Sequence, residues 1–179
     1  MELASAQENV RRSYVGGGPG VIVSGVIWVI AGLVERQRTT ETAFVVLFFG
    51  GMLIFPLATL IARQVFKRPA LDGDNRLSNI ALESTIAMIG GFLAAYLILP
   101  THPQWVFPLL AIAVGTHYFA FNTLYGDRTF WVLGTLLAGI GIAAIVTPTV
   151  MSLGVALPVG VIEIALGAYI AMSHARRLA

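Results

Sequence analysis

The sequence predicts an all-α polytopic membrane protein, a bundle of six transmembrane helices. Two observations carry that expectation. Of the 179 residues, 57% are hydrophobic and only 11% are charged, with a mean hydropathy of +0.83; an ordinary soluble domain is about 25% charged. So few charges cannot cover a globule of this size, and lipid must act as the solvent for much of the surface. The apolar residues also fall in six continuous runs, each near the roughly 20 residues that a membrane helix needs. Continuous rather than alternating runs argue against a transmembrane β-barrel.

Residues 1–17, MELASAQENVRRSYVGG, read as a polar cytoplasmic N-terminal segment, helical in part. The first run, about 18–34, opens with GGGPG, a flexible lead-in. It ends in Glu35-Arg36-Gln37-Arg38 without a small-x-small cleavage site, so it is a retained helix and not a signal segment. Arg11-Arg12 lacks the rest of a twin-arginine signal and reads as anchoring charge. The second run, about 43–62, contains Pro56, a kink position. The third, about 78–99, starts at Ser78 as N-cap and stops before Pro100. The fourth spans about 104–124, the fifth about 129–147 and the sixth about 150–172, with Pro148 in the short turn between the last two. The six-helix domain thus covers 18–172, and 173–179 form a cytoplasmic tail.

Orientation follows from Lys and Arg, which concentrate on cytoplasmic segments. With the N-terminus inside, the inner segments hold nine: Arg11, Arg12, Arg63, Lys67, Arg68, Arg76, Arg128, Arg176 and Arg177. The outer loops hold two, Arg36 and Arg38. Both termini are therefore expected inside, and an even number of spans agrees. Tyr96 and Trp105 then mark the outer interface, and Tyr14, Tyr125 and Trp131 the inner one. The longest loop, 63–77, is cytoplasmic; its DGDN lacks the remaining ligands of a calcium loop and reads as a turn.

Three spans followed by three more would place the two halves in opposite directions. Glu83 and Glu163 each precede small residues and a tyrosine, a hint of a 3+3 inverted repeat.

Several function classes are excluded or disfavoured. A net charge of +2 without a basic stripe argues against nucleic acid. The absence of cysteine removes disulfides, thiolate metal sites and thiol nucleophiles. GGGPG is not a phosphate loop, since no strand precedes it and no Gly-Lys-Ser/Thr follows. No H-E-x-x-H, intramembrane aspartate pair or G-x-S-x-G is present, so no enzyme and no cofactor is expected. The weak alternative is an intramembrane metal enzyme with Glu83, His117 and Glu163 as ligands.

The candidate site residues are Glu163, Glu83, His117 and Asn122. Glu163 interrupts VGVIEIALGAY, and its helical neighbours at i−3 and i+4 are Gly160 and Gly167. Glu83 has Ala87, Gly90 and Ala94 on its stripe, and His117 lies between Ala113 and Ala120. Small-residue stripes let helices approach closely, so these side chains are expected to face protein. With Arg63 near the same level, the simplest assembly is a polar cluster between the third, fourth and sixth spans. Glu163 then needs His117 as a partner or keeps a proton. Two readings stand: a hydrogen-bonded network that fixes packing, or a site for a proton, cation or polar head group.

GGGPGVIVSGVIWVIAGLV, LFFGGMLIFPLATLIAR, ALESTIAMIGG and THYFAFNTLYG resemble a family of small bacterial membrane proteins of unknown function. The resemblance covers most of the chain, with FFGGMLIFP and TLYG its most specific parts. It implies six helices in a bacterial cytoplasmic (inner) membrane, and it implies no activity and no functional residues. The function expected is a small transporter or permease-like protein with a buried polar cluster. The alternative is a structural or accessory membrane protein that binds lipid or a partner protein without transport. Beyond the lipid bilayer, the expected partners are a bound lipid or small solute and a second copy in a dimer. A hydrated cavity reaching Glu163 distinguishes the transporter from the tightly packed accessory bundle.

Overall fold

A computed structural model describes residues 2–147 and 154–176. Pro148, the expected start of the sixth span at 150–153 and Arg177 lie outside these residues. The helices are α1 (Leu3–Tyr14), α2 (Gly18–Gln37), α3 (Thr40–Gln64), α4 (Asn79–Ile98), α5 (Val106–Tyr125), α6 (Thr129–Val146) and α7 (Ala156–Arg176). Six of them, α2 to α7, are long and apolar enough to cross a membrane. The chain is accordingly a multi-pass membrane protein, and its outward faces are greasy: Phe55, Leu97 and Val146 are each at least two-thirds exposed.

Local chemistry sets the boundaries. The Thr39 hydroxyl caps α3 by accepting from the Thr42 amide at 3.3 Å. Gly126, at φ 61°, closes α5 in the left-handed region that a glycine enters without strain. Asp127 Oδ1 then accepts from the Thr129 amide at 2.9 Å and starts α6. Pro56 lies inside α3, which continues across it to Gln64. Ser78 occupies the N-cap position of α4 but its side chain makes no capping hydrogen bond there. It sits in a 3₁₀ turn, and Asn75, one turn earlier, accepts from the Leu77 amide instead. DGDN is a turn, closed by the Asn75 amide on the Asp72 carbonyl.

GGGPG differs from its expectation. Val15–Gly17 form a buried 3₁₀ elbow between α1 and α2 rather than a flexible lead-in. Gly16 and Gly17 have φ of 64° and 84°, and a Cβ on either would meet the His174 ring at 2.6 Å or the Tyr125 ring at 2.8 Å. The elbow turns the chain where no side chain has room.

Helix packing follows a rule suited to lipid, where burial of apolar surface gives no drive for helices to associate and close backbone approach must supply it. Gly18, Gly25 and Gly32 recur every seventh residue on α2 and face α7. A Cβ on Gly25 would lie 2.6 Å from the Gly160 carbonyl oxygen, and one on Gly160 would lie 2.6 Å from that of Gly25. Gly115 and Gly134 form the same seam between α5 and α6. The closest pairings are α2 with α7 and with α3, and α5 with α6 and with α4. The bundle is thus two three-helix units, α2/α3/α7 and α4/α5/α6. An exchange of halves would map α2–α7 onto α5–α4 and α5–α6 onto α2–α3. All four pairs are packed, but the glycine seams lie at only one member of each.

Between the units the helices stand further apart, and large side chains fill the gap. Trp28 of α2 meets Phe107 of α5 edge-on at 6.0 Å, while within the α4/α5/α6 unit Tyr125 stacks on Phe130 at 5.2 Å. Tyr125 is therefore a core residue and not part of an interfacial belt, whereas Tyr96, Trp105 and Trp131 are exposed. α1 straps the end of the bundle that carries Arg63, Lys67, Arg68 and Arg128. Arg11 donates to the Tyr125 carbonyl at 2.8 Å, and Gln7 to that of Thr123 at 2.7 Å. The buried Asn75 side chain donates to the Ala6 carbonyl at 2.9 Å and ties the 65–75 loop to α1.

A candidate site around Glu163

Glu163 is fully buried near the middle of the bundle, on the face of α7 that looks across to α5. Gly160 and Gly167 put it there. Both are pressed against α2, which fixes the rotation of α7. The Tyr118 hydroxyl of α5 donates to Glu163 Oε1 at 2.8 Å. Ser24 of α2, also buried, lies beside both groups. Glu163 Oε2 has no hydrogen-bond partner. The Tyr118–Glu163 bond is, among the described residues, the one fully buried hydrogen bond between two side chains, and it joins the two three-helix units.

The four residues singled out in the sequence do not form one cluster. Glu83 is exposed, as are Ala87 and Gly90 on its stripe, and a Cβ on Gly90 would meet nothing within 4 Å. Small residues permit a close contact without requiring one, and Glu83 stands one turn from the end of α4, where a carboxylate reaches the head groups. His117 turns away from Glu163. It packs on Phe121 at 4.6 Å and lines a groove of about 440 Å³ between α4 and α5, with its Nδ1 unpaired. His117 and Tyr118 are adjacent in sequence, and one step along a helix is about 100° of rotation. Asn122, with its amide nitrogen toward the Asp127 carbonyl at 3.3 Å, accepts from Trp131 Nε1 at 3.0 Å and fastens the α5–α6 turn. Arg63 donates to the Arg68 carbonyl at 3.0 Å and lies over the Tyr14 ring. No group of three or more potential metal ligands occurs among the described residues.

Ser24 and Tyr118 were not legible as site residues. The available signal was the interior position of Tyr118: a buried phenol needs a polar partner, and Glu163 is the acceptor at matching depth.

The site is closed at both ends. Toward α1, Tyr118, Phe121, Tyr125 and Phe130 form a contiguous aromatic cluster. Beyond it, His174 Nε2 lies 3.8 Å from Asp127 Oδ2. Toward the other end stand Trp28 and Phe107, both almost fully buried.

Over residues 3–173 the chain matches the model of a family described as a family of unknown function, DUF7010. No curated protein and no solved structure matches it.

Proposed function

The chain belongs to the DUF7010 family, whose description carries no activity, and we propose from its interior that it is a small permease-like protein of a cytoplasmic membrane. In this reading Glu163 binds and releases a proton, or the polar group of a small solute, as the two three-helix units rock against each other. One observation carries the proposal: a fully buried carboxyl group between the units has one oxygen held by Tyr118 and the other without a partner. A network that served packing alone would satisfy both oxygens, because an unpaired polar atom is costly in lipid. An unpaired oxygen leaves a place for a proton or for a donor group of a ligand. Glycine seams hold each unit together, and larger side chains lie between them.

In liposomes, the wild type should dissipate an imposed pH gradient faster than protein-free vesicles, and Glu163→Gln should fall to that background while keeping its thermal stability. A wild type without flux would leave the accessory reading in front. That second reading has its own support. Glu163 has no exposed surface, and it lines neither the groove beside His117 nor the cavity beside Glu35.

The orientation belongs to the same proposal. The end strapped by α1 faces the cytoplasm, because the basic residues gather there. A cysteine replacing the exposed Asp72 should react with an impermeant reagent only from the inner face. Labelling from outside would invert the topology.

A further inference from the structure

At the end of the bundle opposite α1, a cavity of about 320 Å³ opens between the starts of α5 and α7 and the α2–α3 turn. Glu35, Thr40, Gln104, Phe107 and Val155 are among the residues that line it. Glu35 is its one charged group among the described residues, and Thr40 and Gln104 add a hydroxyl and an amide.

Helical spacing connects this cavity to Glu163. On α2, Glu35, Ala31, Trp28 and Ser24 follow one another at intervals of three or four and share a face. On α5 the same stripe runs Phe107, Ala111, Val114, Tyr118, and on α7 it runs Ala156, Val159, Glu163. Every intermediate residue is buried, and nearly all are small: Ala31, Ala111, Ala156, Val114 and Val159. The three stripes start at the cavity and end at Ser24, Tyr118 and Glu163. The edge-on pair of Trp28 and Phe107 interrupts them. Phe107 forms part of the cavity wall, and Trp28 stands four residues from Ser24, about 6 Å along the helix.

We infer that this cavity is the outer vestibule of the Glu163 site, that Glu35 draws small monovalent cations into it, and that Trp28 and Phe107 are its closed gate. The inference deepens the permease reading and rests on it for its purpose, but its geometry can be tested without any flux. Two packed rings between the cavity and the buried site exclude water until the rings part. A carboxylate in a recess favours cations over anions, because low-dielectric walls focus its field, even with the Arg36 guanidinium close enough to offset part of its charge.

The chain has no cysteine, so single-cysteine variants report cleanly in detergent solution. Gln104→Cys should react faster with a trimethylammonium-bearing than with a sulfonate-bearing methanethiosulfonate, by roughly tenfold after allowing for intrinsic reactivity. Glu35→Gln should erase that preference. Ser24→Cys should react slowly in the gated protein and about tenfold faster when Trp28→Ala or Phe107→Ala leaves a void for water and reagent to enter. Folding of each variant is checked by its thermal transition, and two gate variants guard against the loss of one. A charge preference at Gln104→Cys that survives Glu35→Gln overturns the cation vestibule. A Ser24→Cys rate unchanged in a folded gate variant overturns the gate. If both labelling results hold and the liposomes show no flux, the passage stands and the permease reading falls.

Discussion

Gly160→Leu should unfold the bundle at a markedly lower temperature in detergent than the wild type, a loss of about 3 kcal/mol or more. A Cβ at this position would sit 2.6 Å from the Gly25 carbonyl oxygen and 2.8 Å from the Val29 amide nitrogen. Both are backbone atoms of α2 and cannot swing aside as a side chain tip would. The helices must separate, and in lipid no apolar drive brings them back. Separation would also carry Glu163 away from Tyr118, so the damage reaches the site. Gly90→Leu is the control. Its Cβ meets open space, and leucine is a better helix former than glycine, so its stability should match or exceed the wild type. Equal stability in Gly160→Leu and the wild type would remove the seam.

Tyr118→Phe should cost about 1–2 kcal/mol of stability and abolish any Glu163-dependent flux. The substitution keeps the ring that packs on Phe121 at 5.7 Å and Phe130 at 6.1 Å and deletes only the hydroxyl. Glu163 Oε1 then loses its Tyr118 donor and Oε2 is already unpaired, which leaves the Ser24 hydroxyl as the remaining polar neighbour. A melting temperature and flux equal to the wild type would show that the hydroxyl holds nothing. A lower melting temperature with full flux would confine Tyr118 to a structural part.

What the sequence made legible follows from how strongly lipid constrains a chain. Long apolar runs allow few structures besides helices, so the six spans and the stop before Pro100 could be read directly. The inward direction of Glu163 was legible too, because it lies between Gly160 and Gly167. The same rule misplaced Glu83, whose stripe of Ala87, Gly90 and Ala94 meets no other helix closely. Which small-residue stripe finds a partner depends on the arrangement of all six helices, and that is not local information. The partner of Glu163 was hidden for a similar reason. A periodic reading of α5 notices His117 as the titratable residue, while the fold presents its neighbour Tyr118 to the interior. The Asn75 tether and the buried elbow at Gly16 and Gly17 also depend on contacts across the chain, with α1 and α7.

A double-mutant cycle on Tyr118→Phe and Glu163→Leu tests the bond between the two units most directly. Each single substitution leaves one buried polar group without its partner, whereas the pair removes both, which is far less costly. Thermal and denaturant unfolding in detergent should find the double variant more stable than the two single losses would sum to, by roughly 0.5–1.7 kcal/mol. Strictly additive losses would mean that Tyr118 and Glu163 do not hold each other, and the site between α5 and α7 would have no basis.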